Sequence, residues 1–352
     1  MAKERQASNN VKNRRQQRGW SQLQLAQRAG ISRAAVSAIE INRLVPSVAA
    51  ALALARAFNC SVEDLFGESE SKTQATLQWA WPPPKQPYRF WQATVGGRRL
   101  LFPTETTASG LLEHDGVYEN GACRFRRERP EKTLVLTCCD PAAALLATEI
   151  QQRTGTRVLI FPRSSQQALH LLAQGLVHAA GVHLATRKAP KENQHAVRTL
   201  LGPGFQLLRV ARWQEGLAIS AGAGIRSLRS ALHASLRWVG RQEGSAARQC
   251  QDELLERRQP PRRLARDHRS VADAIRSGWA DAGICLRLVS EEAGLQFFPI
   301  REETYEWCLP TADEDSTLQD LLQAARSYFY RRLLSDLPGY DARECGELED
   351  VN

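Results

Sequence analysis

Ser21-Gln22-Leu23-Gln24-Leu25-Ala26-Gln27-Arg28-Ala29-Gly30-Ile31-Ser32-Arg33-Ala34-Ala35-Val36-Ser37-Ala38-Ile39-Glu40 reads as two short helices joined by a tight turn. Ser21 is placed to cap the first helix, with Gln24 three residues on to close a capping box. Gly30 supplies the backbone freedom that the turn requires. The second helix starts at Ser32. The 3.6-residue period puts Val36 and Ile39 on one face with Ala35, and Arg33, Ala34 and Ser37 on the other. One face packs and the other is free to enter a groove. Ala26 and Ala29 are small enough for the two helices to cross closely. Ser47 and Ser61 open two further helices, completing a five-helix bundle.

Charge separates this segment from the rest of the 352 residues. Residues 1–66 hold ten Lys and Arg against four acids, a net +6 of the chain's +9. A basic excess concentrated in a small domain is the footprint of phosphate binding. The spacing of caps and apolar positions resembles the Cro/cI-like (XRE-type) helix-turn-helix family. The resemblance implies a double-stranded DNA partner, with Gln22, Arg33, Ala34 and Ser37 approaching base edges. Arg suits guanine and Gln suits adenine, each good bidentate pair contributing about 1–3 kcal/mol of discrimination. Arg14, Arg15 and Arg43 suit phosphates, which position the module without reading sequence. Asn42 stands where the family often has glycine, so a differently shaped turn is expected after Glu40. Bundles that touch no nucleic acid use similar caps, and the charge argues against that alternative.

Glu68 to Lys72 is a polar linker, and Trp81-Pro82-Pro83-Pro84 reads as a stiff spacer. Arg89 to Pro103 alternates around Gly96-Gly97 as a hairpin, with a second pair of strands about His114-Asp115-Gly116 or Asn120-Gly121. This small β element is expected to connect or to cover an edge.

From Lys132 the pattern alternates strand and helix. Thr133–Thr137, Arg157–Phe161 and Ala179–Leu184 read as strands. Asp140-Pro141 opens a helix to about Gly155, and Ser164 or Ser165 caps another. Such βαβ units imply a parallel sheet with a ligand crevice beyond the strands' carboxyl ends, at Cys139, Asp140, Ser164, Ser165 and His183. A second block repeats the pattern: Leu217–Ser220, a helix from Ser227, Leu236–Gly240, a helix from Ala246 to about Arg258, a helix over Ser270–Ser277, then Ala280–Ile284 and Phe297–Ile300. Cys139-Asp140-Pro141, Gly181-Val182-His183-Leu184, Gln214-Glu215-Gly216-Leu217, Arg241-Gln242-Glu243-Gly244-Ser245 with Arg248, and Val271-Ala272 through Gly283 resemble the type II periplasmic-binding-protein-like domains fused to helix-turn-helix modules, relatives of molybdate-binding folds. The expected fold is therefore multidomain: an all-α helix-turn-helix bundle over 1–68, a linker and small β element over 69–130, a two-lobed α/β binding-protein-like domain over 131–335, and a solvated acidic tail over 336–352.

The segment Arg241 to Arg248 is the best ligand site by physics alone. Gly244-Ser245 leads into a helix amino terminus, where unpaired N–H groups and the helix dipole favour an anion, and Arg248 lies one turn in. The other reading is that Ser245 only caps and Arg248 pairs with a surface acid. Related domains often carry Gly-Ser-Gly-Thr-Arg here; Ala246 and Ala247 replace the Gly-Thr pair. The predicted ligand contacts are Asp140, Ser164, Ser165, His183, Arg241, Gly244, Ser245 and Arg248, and molybdate or a molybdenum-cofactor precursor is the ligand that the resemblance implies.

The eight cysteines show neither Cys-x-x-Cys nor zinc spacing, and the adjacent Cys138-Cys139 pair is poor geometry for a disulfide. Reduced buried thiols are expected, with no metal site and no cofactor; the alternative is a redox or soft-metal role for the Cys138-Cys139 pair. No stretch reaches the 18 apolar residues that span a bilayer, so a cytoplasmic protein with no membrane partner is expected. No Ser/His/Asp or Cys/His set is legible, so no catalytic residue is predicted. The expected function is a one-component transcriptional regulator, homodimeric by analogy with the family, sensing a small anion. The rivals are an enzyme acting in the cleft through Cys139 or His183, and a ligand-free scaffold.

Overall fold

The computed structural model describes residues 9–66, 77–126, 132–255, 261–311 and 315–351. The chain divides into two compact units, Met1–Leu77 and Gln78–Asn352.

The first unit is a bundle of α1 (Val11–Gln17), α2 (Gln22–Ala29), α3 (Arg33–Glu40), α4 (Val48–Phe58) and α5 (Glu63–Phe66). Its helix ends are those the sequence encodes. Ser21 and Gln24 form the reciprocal capping box, Ser32 and Ser47 accept the N3 amides of their helices, and Gly30 closes α2 at φ 64°. Leu25, Val36, Ile39, Leu54 and Phe58 are fully buried around the α2–α3 crossing, where Ala26 and Ala29 supply the small contacts. Asn42 corrects an expectation. It adopts φ 58°, the left-handed conformation a glycine would take, so asparagine supplies here the backbone geometry that a glycine would. Its side-chain oxygen accepts a hydrogen bond from Asn9 Nδ2, which also donates to the Ile39 carbonyl, and these contacts hold the turn in place.

The second unit begins with a five-stranded sheet of β1 (Gln78–Trp79), β2 (Tyr88–Val95), β3 (Arg98–Pro103), β4 (Gly116–Glu119) and β5 (Ala122–Phe125), in the order β1-β3-β2-β4-β5. Its hairpins turn at Gly96-Gly97 and Asn120-Gly121, as the sequence predicts. The sheet is more than a connector. Trp91, Leu100 and Phe102 enter one apolar cluster with Val135, Leu159, Phe161 and Val182 of the larger sheet. Trp81, expected in a spacer, packs edge-on against Phe102 and Phe161. Asp115 and Arg157 lock the two sheets together through a buried bidentate pair, both bonds 2.8 Å. The expected boundary at 130/131 and the polar linker Glu68–Lys72 fall in or beside residues outside the described set.

The larger sheet follows the path β11-β10-β12-β9-β13-β8-β6-β7. One lobe contains β6 (Thr133–Cys138), α6 (Ala143–Thr154), β7 (Arg157–Pro162), α7 (Ser165–Ala173), β8 (Ala179–Thr186) and α8 (Glu192–Leu201). The strands β9 (Phe205–Ile219) and β13 (Gln296–Pro310) lie between the lobes. The other lobe contains α9 (Leu228–His233), β10 (Trp238–Arg241), α10 (Ala246–Leu255), β11 (Arg263–Ala265), α11 (His268–Arg276), β12 (Ala282–Leu286) and α12 (Arg287–Glu292). The outer strands pair in parallel within each lobe, whereas β9 and β13 pair antiparallel with each other along almost their whole length. Each of these two runs fifteen residues, far beyond Leu217–Ser220 and Phe297–Ile300. Of their charged residues, Glu215, Glu303 and Glu306 are buried and are met by Arg301 or Arg209, whereas Arg212 is exposed.

Helices α13 (Ser316–Ala325) and α14 (Tyr328–Ser335) pack on α6, and β14 (Tyr340–Asp341) and β15 (Leu348–Val351) add to β9. The acidic ending is therefore folded. Ala342, Cys345 and Val351 are buried, and Glu344 is anchored by Arg209 and Arg212. Alternating acids with buried small residues gave this segment the look of a solvated tail. Among the described residues no helix is long and apolar enough to cross a membrane.

Candidate functional site

Two regions gather the predicted residues. On the helical unit, Arg33 and Ala34 are exposed and Ser37 half-buried on the outer face of α3, opposite the buried Val36 and Ile39. Arg43 is exposed just beyond that helix, and Arg14 is half-buried on α1. Arg15 is a correction. Its guanidinium grips Glu40, with Nε 2.6 Å from Oε1 and Nη2 3.0 Å from Oε2, and its Nη1 donates to the Trp20 carbonyl. A side chain so committed ties α1 to α3 and is withdrawn from phosphate contact. Gln22 donates its amide to the same Glu40 carboxylate at 3.0 Å, which fixes its rotamer at the start of α2. Burial alone would push the Glu40 carboxyl up, but the bonds from Arg15 and Gln22 outweigh it and hold the group below its ordinary value.

The second region lies at the junction of the lobes. Ser164 caps α7 through a capping box with Gln167, and Ser165 Oγ accepts the His183 amide at 3.3 Å. Asp140 Oδ1 accepts the Ala142 amide at 2.9 Å and the Tyr340 hydroxyl at 2.7 Å, while Oδ2 is buried without a partner among the described residues. Burial raises this carboxyl to about 6, against the lowering effect of those two bonds.

Across the junction, the segment Arg241–Arg248 is arranged differently from the expectation. Ser245 Oγ donates to the Gln242 carbonyl and accepts the Arg248 amide, so it is a cap. Arg248 pairs through Nε with Asp252 on its own helix, at 2.7 Å, and its Nη1 donates to the Arg241 carbonyl at 3.3 Å. Ala246 and Ala247 are buried, and the Ala246 carbonyl accepts from Arg301 at 2.7 Å. Arg241 stands at the carboxyl end of β10. It is only 3 % exposed, and its Nε and Nη1 have no hydrogen-bond partner among the described residues. Gly244, at φ 81°, leaves room for Gln166 of α7 from the other lobe; a Cβ there would lie 2.6 Å from Gln166 Oε1.

A chain of buried polar groups links the lobes and was not assembled from sequence. Cys139 Sγ lies 2.7 Å from His183 Nε2, and His183 Nδ1 lies 2.7 Å from Glu303 Oε2. Trp213 Nε1 donates to the same Glu303 oxygen at 3.0 Å. Arg301 bridges Glu303, at 2.6 Å, and Glu215, at 2.9 Å. Two buried carboxylates beside one guanidinium do not both ionise easily. Burial and the Glu303 charge push Glu215 up to about 8, whereas Glu303, despite burial, is held down at about 2 by His183 and Arg301. Burial works against a charge on His183, yet Cys139 and Glu303 prevail and raise it well above its usual value. His268, at the start of α11, is driven well below its usual value by burial, Arg241 and His183. Neither of its ring nitrogens has a partner among the described residues. Cys139, His183 and His268 place one donor atom each within 4.8 Å of one another. The sequence signals for this chain were a strand-end cysteine and histidine and the motif Gln214-Glu215-Gly216-Leu217; Arg301 and Glu303 were hidden in the unrecognised length of β13.

Comparison with known proteins agrees with this anatomy. Residues 147–326, just over half of the chain, match the family described as the PBP superfamily domain, and residues 11–65 match a helix-turn-helix family. A Bacillus subtilis (strain 168) protein named as uncharacterised, YvgK, is 26 % identical over 196 residues, covering 53 % of this chain and 63 % of its own. The chain thus spans less than two thirds of that relative. The helical unit is 41 % identical over 58 residues to a protein named as the uncharacterised HTH-type transcriptional regulator YgzD, also of Bacillus subtilis (strain 168), covering 16 % of this chain and 88 % of that one. Among solved structures, PhnD1 of Prochlorococcus marinus (MIT 9301) with methylphosphonate is 12 % identical, with 61 % of this chain and 95 % of that one covered at a TM-score of 0.43. A reduced form of OxyR from N. meningitidis is 10 % identical, with 59 % and 98 % covered at a TM-score of 0.42.

Proposed function

Because the chain belongs to the PBP superfamily and carries a helix-turn-helix domain, we propose that it is a DNA-binding transcriptional regulator whose two-lobed domain senses a small anion. The observation that carries the ligand half is Arg241: a buried guanidinium with two unpartnered nitrogens, Nε and Nη1, at the end of β10 and a few residues before the α10 amino terminus. An uncompensated buried cation is costly, and a bound carboxylate or oxyanion supplies the missing acceptors. These donors favour a negative charge without selecting one oxyanion, so molybdate is one member of the class. For the DNA half, Arg33 and Ala34 stand exposed on α3, Gln22 is braced beside them, and Arg43 is available to phosphate. A homodimer would present two such helices to half-sites about 34 Å apart, and lobe closure would alter that spacing.

The reading is of a binder rather than an enzyme. Cys139, His183 and Glu303 have the nucleophile, base and orienting acid spacing of covalent catalysts. However, all three are buried, and Cys139 and Glu303 are engaged by His183, which supports the binder reading.

The test is a thermal-shift panel of oxyanions and organic acids on the full chain and on Arg241→Gln. A ligand at 100 times its Kd stabilises by about 2.7 kcal/mol, a visible shift. A shift lost in the variant supports the sensor. A flat panel favours a ligand-free scaffold, and turnover of any bound compound favours the enzyme. For the DNA half, Arg33→Ala on a selected operator should cost about 1–3 kcal/mol of discrimination. Equal loss on all sequences would make Arg33 a phosphate contact.

A further inference from the structure

We propose that Cys139, His183 and His268 form a metal site for a thiophilic d10 ion, zinc(II) or copper(I), that pins the two lobes together. The three side chains come from different elements, the loop after β6, strand β8 and the first turn of α11, and each is at least nine-tenths buried. Their donor atoms lie within 4.8 Å of one another. Two imidazoles and a thiolate are a soft-to-borderline set, suited to zinc or copper(I) and poor for magnesium or calcium.

Two independent features point to an ion. His268 is buried with both ring nitrogens unpartnered among the described residues, and coordination would satisfy one of them. His183 turns Nδ1 to Glu303, whose carboxylate is itself held by Trp213 and Arg301, leaving Nε2 towards Cys139 and His268. A carboxylate behind a ligating histidine is the usual outer shell of a metal site, fixing the ring and its tautomer. Tetrahedral zinc, with Zn–S about 2.3 Å and Zn–N about 2.0–2.1 Å, sets the donor atoms roughly 3.3–3.6 Å apart. The Cys139–His183 edge, 2.7 Å, therefore widens on binding, within reach of a side-chain rotation. Zinc would keep a fourth position for water or an anion, whereas copper(I) is satisfied by three donors. No Cys-x-x-Cys or His-x-x-x-His spacing announces the site, because each donor comes from a separate element.

The proposal does not depend on the anion reading, and its test needs neither DNA nor anion. Full-length protein, reduced and stripped with a chelator, is titrated with zinc(II) against a chromophoric chelator and, in a second arm, with copper(I) against bicinchoninate. Cobalt(II) substitution reports thiolate ligation through its charge-transfer band. The expected result is one ion per chain. Affinity should fall at least tenfold in His268→Gln, and the cobalt–thiolate band should vanish in Cys139→Ser and persist in Cys123→Ser. The tighter arm identifies the ion. Circular dichroism of each metal-free variant checks folding, and His268→Gln keeps the test decisive if Cys139→Ser misfolds. Stoichiometry well below one in both arms, or affinity within twofold of wild type in His268→Gln, overturns the proposal. Anion shifts and operator binding on the metal-free chain report the regulator reading separately.

Discussion

Replacing Arg15 by methionine should loosen the helical unit far more than the loss of one surface charge. The guanidinium is 13 % exposed, the Glu40 carboxylate 2 %, and two bonds of 2.6 and 3.0 Å join them. Methionine keeps most of the aliphatic packing but leaves a buried carboxylate with Gln22 as its remaining side-chain donor. Bonds to charged groups contribute about 1.5–3 kcal/mol each and are not additive, while breaking a fully buried pair costs about 3–5 kcal/mol. The edge position of this pair places the expected loss at about 2–3 kcal/mol. A domain of this size has a total stability of only about 3–9 kcal/mol. Hydrogen exchange read by mass spectrometry on the full chain is the suitable assay, since it resolves the two units. Amides of α2 and α4 should exchange about 30- to 160-fold faster, with peptides of the second unit unchanged. The pH dependence follows in sign. Glu40 has a folded-state pKa below its unfolded value, so its contribution is present above the unfolded pKa and is lost as pH falls through the folded one. Wild-type protection should therefore fall in that acid window more steeply than that of Glu40→Gln. Acceleration below threefold in Arg15→Met would refute the reasoning and return Arg15 to the phosphate contacts.

Asp115→Ala removes both carboxylate bonds from the Arg157 guanidinium, which keeps the neutral Thr133 hydroxyl and Gln92 carbonyl as acceptors, and chemical denaturation should show the second unit destabilised by about 3 kcal/mol, the lower end for a broken buried pair. An effect below 1 kcal/mol would mean that the pair is solvated. Glu215, raised to about 8, binds a proton more tightly folded than unfolded. Its contribution to the second unit's stability should decline as pH rises from about 4.5 towards 8, a slope that Glu215→Gln abolishes. Glu303 has the opposite sign, losing its contribution as pH falls from about 4.5 towards 2, and denaturation midpoints of Glu303→Gln across that range should lack this acid limb. Slopes unchanged by either variant would refute these two assignments.

How much was legible varies with the range of the signal. Caps, left-handed glycines and 3.6-residue periodicity act within a few residues, so both ends of α2, the starts of α3, α4 and α7 and the core face of α3 were readable directly. The parallel strands β6, β7 and β8 were readable because burial on both faces makes them continuous apolar runs. The hinge strands were not. Glu215 in one, and Arg301 and Glu303 in the other, look like surface until antiparallel register sets Glu303 opposite Trp213.

By itself the sequence determined an amino-terminal helix-turn-helix bundle followed by a two-lobed α/β domain, and the strand ends where a crevice must lie. Tertiary structure decided which side chains meet there. It withdrew Arg15 and Arg248 into ion pairs with Glu40 and Asp252, and folded the acidic ending onto β9. It also brought Cys139, His183, His268 and Glu303 together from across the chain. Helix ends are set by contacts three or four residues apart. A buried charge is tolerable only beside its partner, and that partner is set by strand register and lobe packing, which no local window of sequence contains.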